Sequence, residues 1–153
     1  MLGVLEELSN EAAVLFPIHP RTRKMIAEFG LQAWVDSHPK IRLVDPLGYL
    51  DFLSLMERAK LVITDSGGIQ EETTYLGVPC ITLRSNTERP ITVEVGTNEL
   101  FGNDLAAAKR RGKEILRGRV KSGAVPDQWD GRAAERIASI IVSALYSTSE
   151  RMP

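Results

Sequence analysis

Leu61-Val62-Ile63-Thr64-Asp65-Ser66-Gly67-Gly68-Ile69-Gln70-Glu71-Glu72-Thr73-Thr74-Tyr75-Leu76 changes period in mid-course. Leu61 to Thr64 is a short apolar run of the kind that makes a buried strand. Asp65 ends it, Ser66-Gly67-Gly68 turns, and Ile69, Thr73 and Leu76 then recur on one side of a helix. A strand that passes through a glycine turn into a helix is one step of a parallel α/β sheet. Ligands of such sheets bind beyond the carboxyl ends of the strands, where the next helix offers unpaired N–H groups and roughly half a positive charge. A phosphate fits that position.

Gly67 and Gly68 have no Cβ, so backbone can approach phosphate oxygens closely, and the Ser66 hydroxyl can donate one more hydrogen bond. The competing explanation is that Asp65 or Ser66 only caps the helix and the glycines only shape the turn. Glu72 adds weight to the first: at 100° per residue it lies roughly 60° from Ile69, on the side expected to face the sheet. A carboxylate there needs a partner, and we assign Glu72 to vicinal ribose hydroxyls. Glu71 points roughly 200° from Ile69, toward water.

Outward from this segment, apolar runs at Ala13–Ile18, Ile41–Val44 and Cys80–Leu83 have the length of strands buried on both faces. Helical patterns follow at 22–29, at Phe52, Leu53, Leu55, Met56 and Ala59, and at Asp104–Leu116. The fold expected is α/β: a Rossmann-like, mainly parallel sheet with helices on both faces, joined by right-handed crossovers. Gly118–Gln128 reads as a loop. In the closing segment Asp130 can cap a helix whose Ala133, Ile137, Ile140, Ile141, Ala144 and Leu145 recur as a core face. The tail from 147 to 153 is expected to fray.

Lys and Arg total 19 against 20 Asp and Glu, so no overall field steers the chain toward nucleic acid or anionic lipid. No apolar run approaches the ~20 residues that cross a bilayer, and residues 1–9 lack the features of a signal peptide, which together suggest a cytoplasmic protein. Cys80 is the single cysteine, so an internal disulfide and a thiolate cluster are excluded; in its apolar strand it reads as an inert buried thiol. With two histidines and no carboxylate cluster, no metal site can be argued.

Arg84 and Thr87-Glu88-Arg89-Pro90 follow the fourth strand, again at a carboxyl end, where Arg89 can meet an anion or serve as a plain surface charge. His19, before Pro20-Arg21-Thr22, either faces a cleft or bonds local backbone; His38, before Pro39, reads as exposed. A P-loop, a dinucleotide fingerprint and a nucleophile elbow are all missing.

Phe-Pro-Ile-His-Pro-Arg-Thr (16–22), Asp-Ser-Gly-Gly-Ile-Gln-Glu-Glu (65–72), Gly-Val-Pro-Cys (77–80) and Thr-Glu-Arg-Pro (87–90) together resemble the non-hydrolysing UDP-N-acetylglucosamine 2-epimerases, in order and in spacing. The stretches 95–98 and 130–137 extend the likeness, so that it covers about 13–145. The resemblance implies the C-terminal domain of a glycosyltransferase-B-type two-domain fold, with 1–153 forming a single UDP-binding domain. Carried over by residue, Ser66, Gly67 and Gly68 bind the diphosphate of UDP or UDP-GlcNAc, Glu72 binds ribose, and Arg89 and Phe52 help hold UDP. His19 matches a histidine of a second, regulatory nucleotide-sugar site in some relatives. Leu47 stands where some relatives have a polar residue near the base.

In such enzymes UDP-GlcNAc and UDP-ManNAc interconvert by loss of the C2 proton, anti elimination of UDP, re-addition and reprotonation, with no cofactor. The family's catalytic carboxylates and its histidine-arginine-glutamate-asparagine stretch would precede Met1, so no catalytic residue is expected within these 153 residues and the N-terminal domain is the expected partner, in cis or in trans. A homodimer is left open. The same pattern also suits a stand-alone nucleotide-sugar-binding regulatory module or, less well, half of a related glycosyltransferase.

Overall fold

Strand and helix alternate as expected in the computed structural model, which describes residues 2–149. The order is α1 (Leu2–Ser9), β1 (Val14–Pro17), α2 (Pro20–Glu28), α3 (Gln32–Asp36), β2 (Ile41–Val44), α4 (Tyr49–Glu57) and β3 (Val62–Thr64). It continues with α5 (Gly67–Leu76), β4 (Cys80–Thr82), α6 (Pro90–Glu94), β5 (Asn98–Leu100), α7 (Leu105–Leu116) and α8 (Ala133–Ser149). Every ladder is parallel: Val14 lies opposite Ile41 in β1–β2, Val62 opposite Cys80 in β3–β4, and Cys80 opposite Asn98 in β4–β5.

The α/β class stands, with one correction. The strands form a β1–β2 pair and a separate β3–β4–β5 sheet rather than one continuous sheet. Strands of three or four residues carry few ladder bonds, and none of those bonds joins β1 to β3 among the described residues. Burial also falls short of expectation. β4 alone is buried at every position, whereas Leu15 of β1 is 41% exposed.

β4 shows why helices cover both faces of the larger sheet, since alternate side chains of a strand point to opposite sides. Ile81 packs with Ala108 and Ile115 of α7 and with Leu61, Ile63, Leu83 and Phe101. On the other side Cys80 and Thr82 meet α5 and β5: Thr82 Oγ1 donates to Asn98 Oδ1 at 2.7 Å. Burial pushes the Cys80 thiol pKa up, as an inert cysteine in this position should show.

Sequence reading missed α1, α3, α6 and β5, and of these α1 does most to join the fold. It buries Val4 and Leu8, touches β1 and β2, and packs along α7, so it ties the two ladders together. Glu7 pairs with Lys113 and with Lys109 (3.3 Å), which lowers its carboxyl pKa, and Glu11 pairs with Arg117 at 2.6 Å. Gly112 permits the approach: a Cβ there would stand 3.0 Å from Leu8 Cδ2. His38 is drawn into the same region and is not exposed as expected. Its side chain retains 19% exposure, its Nδ1–H donates to the Trp34 carbonyl at 2.6 Å, and its Nε2 lies 3.3 Å from Glu6. The carbonyl bond first, and Glu6 second, raise its pKa.

The loop after α7 closes onto β5, where Lys121 donates to the carbonyls of Val93 and of Asn98 (3.0 Å to the latter). Gly123 presses on Gly96, which itself sits between α5 and α6; a Cβ on Gly96 would be 2.4 Å from Thr74 Oγ1 and 2.7 Å from the Thr92 carbonyl oxygen.

α8 corrects a second expectation. Asp130 lies in the turn before α8, accepting from the Arg132 amide at 3.0 Å and pairing with Arg136, rather than in the capping position expected of it, and the apolar face is not core. Ile137, Ile140, Ile141 and Leu145 are 56%, 68%, 53% and 67% exposed, because no other described element covers them. α8 continues to Ser149, and the rest of the tail expected to fray lies outside the described residues. No helix among the described residues is long and apolar enough to cross a membrane.

Candidate functional site

α5 begins without a side-chain cap. Ser66 is the N-cap residue (φ −90°, ψ 134°) and its amide donates to Thr64 Oγ1 at 3.0 Å, but neither its hydroxyl nor Asp65 bonds back to the helix. The capping explanation of Ser66 therefore does not hold, and the hydroxyl is uncommitted. Gly67 and Gly68 occupy the first helical turn, whose N–H groups have no intrahelical acceptor.

Nothing inside the chain requires glycine at these positions. Neither has a positive φ, and a Cβ on either would meet no atom within 4 Å. The contrast with Gly77 is instructive: Gly77 adopts φ 71° to end α5, a left-handed conformation that glycine reaches at low cost. Gly67 and Gly68 instead leave a bare, open patch of backbone donors at the carboxyl end of β3.

The buried face of α5 is rotated from the one expected. Gln70, Thr73 and Thr74 are buried, while Ile69, Leu76 and Glu72 are half-buried. Glu72, two positions from Gln70 and so roughly 200° around the helix, does not face the sheet. Its carboxylate has no hydrogen-bond or ion-pair partner among the described residues. Glu71 is not left in water as expected: it pairs with Arg89, Nε to Oε1 2.8 Å. That pair brings Arg89 alongside the first turns of α5.

A buried polar cluster explains the rotation. Gln70 Oε1 accepts from Thr87 Oγ1 at 2.6 Å and from Asn98 Nδ2 at 3.1 Å. Asn98 Nδ2 also donates to Thr92 Oγ1 (3.1 Å), and Thr92 Oγ1 donates to the Arg89 carbonyl (2.7 Å). The Arg89 amide donates to Thr87 Oγ1 at 2.9 Å. The Gln70 Nε2 group is buried and has no partner, a state that costs about 1–3 kcal/mol in a protein interior. Sequence reading missed this cluster. The available signal was the polar residues Gln70 and Thr82 in inward-facing segments, whose side chains need partners once buried.

Phe52 lies half-buried on α4, which packs beside α5. His19 belongs to the other ladder. Of its two open roles it takes the local one, capping α2 with Nδ1 accepting from the Arg21 amide at 3.2 Å. A concavity of about 420 Å³ opens beside it between Ile18, Pro20, Arg23, Lys24, Asp45 and Pro46, with Arg23 already paired to Asp45 at 2.9 Å.

An α/β sheet with an open helix N-terminus after β3 can now be set beside known proteins. Residues 1–142 match UDP-N-acetylglucosamine 2-epimerase as a family. The chain belongs to that family. A UDP-N-acetylglucosamine 2-epimerase of Methanocaldococcus jannaschii is 46% identical over 145 residues, covering 94% of this chain and 39% of the relative. A UDP-2,3-diacetamido-2,3-dideoxy-D-glucuronate 2-epimerase of Pseudomonas aeruginosa is 38% identical over 138 residues, covering 86% of this chain and 35% of the relative.

The fold agrees with those of solved 2-epimerases. The M. jannaschii enzyme in complex with UDP-GlcNAc and UDP superposes with a TM-score of 0.76 at 41% identity, over 93% of this chain and 39% of that one. An S. aureus relative in complex with UDP gives 0.70 at 29% identity, over 94% of this chain and 41% of that one. The chain thus spans about 39% of the length of its M. jannaschii 2-epimerase relative, and is one part of the larger epimerase fold.

Proposed function

We propose that this chain is the UDP-binding, C-terminal part of a UDP-N-acetylglucosamine 2-epimerase, and that the groups moving the C2 proton belong to a second domain. The observation that carries the reading is the uncapped N-terminus of α5, where Ser66, Gly67 and Gly68 present donors and open space that no intrachain contact uses. A diphosphate meets those N–H groups, Glu72 takes the ribose hydroxyls, and Arg89 and Phe52 close the nucleotide side. The relatives from M. jannaschii and P. aeruginosa differ in the sugar they are named for and share the UDP, which supports assigning UDP to the region they have in common with this chain.

In the complete enzyme, removal of the C2 proton and anti elimination release UDP from C1; re-addition of UDP and protonation of C2 from the opposite face give the epimer. The contribution of this domain is to the leaving group. Fixed N–H dipoles at Gly67 and Gly68 stabilise the negative charge that accumulates on departing UDP. They carry no proton to or from C2. The bare apolar face of α8 supports the same reading: Ile137, Ile140, Ile141 and Leu145 suit contact with a further part of the epimerase fold, of which the region matched here is 39% in the M. jannaschii relative.

Chemical-shift mapping with UDP tests the site. Perturbations centred on 66–72 are expected, and perturbations centred elsewhere with that segment unmoved reject it. Incubated alone with UDP-GlcNAc in D2O, the chain is expected to form no UDP-ManNAc and incorporate no deuterium at C2. Turnover attributable to it would place proton-transferring groups within these residues and overturn the division of labour.

Glu72→Gln keeps the shape and an acceptor oxygen but removes the charge. UDP affinity is expected to drop about tenfold, the equivalent of one charge-assisted hydrogen bond. Glu57→Gln, on the exposed side of α4, is the control and should bind like the parent. Equal binding by all three proteins, measured calorimetrically, removes the ribose contact.

A further inference from the structure

Arg89 is held at both its backbone N–H and its carbonyl by the buried cluster beneath it. Its N–H donates to Thr87 Oγ1 (2.9 Å), which donates in turn to Gln70 Oε1 (2.6 Å). Its carbonyl accepts from Thr92 Oγ1 (2.7 Å), which accepts from Asn98 Nδ2 (3.1 Å). Both routes meet where Asn98 Nδ2 donates to Gln70 Oε1 (3.1 Å), and Thr82 Oγ1 fixes the other end of the Asn98 amide at 2.7 Å. Gln70 is on α5 itself, four residues after Ser66, and both Gln70 and Asn98 are fully buried. The loop carrying Arg89 is otherwise exposed, with Ser85, Asn86 and Glu88 in solvent.

A loop arginine has many rotamers and its backbone many conformations, and fixing them in advance of binding is what raises affinity. The unpartnered Gln70 amide nitrogen fits this purpose better than stability. An apolar residue of similar volume would leave no such orphan, but it would offer no acceptor to Thr87. Consistency between local chemistry and fold breaks down most often at functional positions.

We propose that Gln70, acting through Thr87, and Asn98, acting through Thr92, are positioning residues that lock the Arg89 backbone against the first turns of α5, so that its guanidinium is already in place when a diphosphate arrives. The proposal rests on the assignment of UDP to this site. The two are separated by a double-mutant cycle on this chain, with UDP as probe and calorimetry as readout. Thr87→Val removes the hydroxyl that both accepts from Arg89 and donates to Gln70, and should weaken UDP about 3- to 10-fold. Thr87→Ser retains it and should bind like the parent. Arg89→Ala should weaken UDP, and adding Thr87→Val to it should cause no further loss, because the hydroxyl acts only through Arg89.

A purely structural role for Thr87 would give additive losses, and additivity overturns the proposal. So does Thr87→Val binding UDP like the parent while Arg89→Ala does not, a result that leaves the site intact. Parent-like binding by Arg89→Ala, or no binding by the parent, overturns the proposal together with the role given to Arg89 or to the whole site. Thr92→Val repeats the cycle from the carbonyl side and should show the same non-additivity, and its additivity counts equally against positioning.

Discussion

Gly96→Ala lowers the stability of the chain by about 1–3 kcal/mol, the range for overpacking a tight interior. The added methyl would stand 2.4 Å from Thr74 Oγ1, 2.5 Å from Thr74 Cγ2 and 2.7 Å from the Thr92 carbonyl oxygen. A side chain could swing aside, but the carbonyl belongs to α6 backbone, and Gly123 packs against Gly96 from the loop, its own Cβ position 2.8 Å from the Gly96 carbonyl carbon. The urea midpoint should therefore fall without a change in slope. Gly67→Ala is the matched control: its methyl enters open space, and replacing glycine within a helix gains up to about 1 kcal/mol. Equal midpoints for Gly96→Ala and the parent would mean that α5 and α6 move apart more easily than their contacts indicate.

Gly68→Val produces the opposite combination, a retained fold with UDP binding reduced about 10- to 100-fold. Valine is a better helix residue than glycine, and its Cβ meets nothing in the chain, so circular dichroism and melting should match or exceed the parent. The branched side chain fills the space through which a phosphate oxygen reaches the first-turn N–H groups. Losing one hydrogen bond to a charged group is worth about 1.5–3 kcal/mol, which sets the expected range. Unchanged UDP affinity with an intact fold would take the diphosphate away from α5.

The two glycine predictions also mark what sequence can and cannot disclose. Leu61–Leu76 was legible because its period switches from strand to helix at a glycine turn, and β3 and α5 fall there. β5 was not, since Asn98-Glu99-Leu100 lacks β-branched residues and is defined by pairing with β4. On α5 hydropathy selected Ile69, Thr73 and Leu76, but the buried residues are Gln70, Thr73 and Thr74, of which Gln70 is tied by hydrogen bonds to Thr87 and Asn98. α8 shows the reverse error: apolar spacing identifies a face that wants covering, not whether a described element covers it. Ser66, Gly67 and Gly68 could be singled out from composition and order alone, whereas the Glu71–Arg89 pair and the cluster under Arg89 link residues up to 28 positions apart that no local pattern connects.

The Glu71–Arg89 pair bears on how fast a nucleotide is captured. Around the α5 N-terminus the two guanidinium groups are already engaged, Arg89 with Glu71 at 2.8 Å and Arg84 with Glu88 at 4.0 Å, while Asp65 and Glu72 add unneutralised negative charge. On the proposed site, a dianion still beyond a Debye length, about 8 Å in physiological salt, is largely screened from the charges of this face. Attraction begins only at contact, where backbone dipoles act and Arg89 can exchange a carboxylate for a phosphate. On the proposed site Arg89 would then work as an anion exchanger, its guanidinium held beside α5 by Glu71 until a phosphate takes that partner's place.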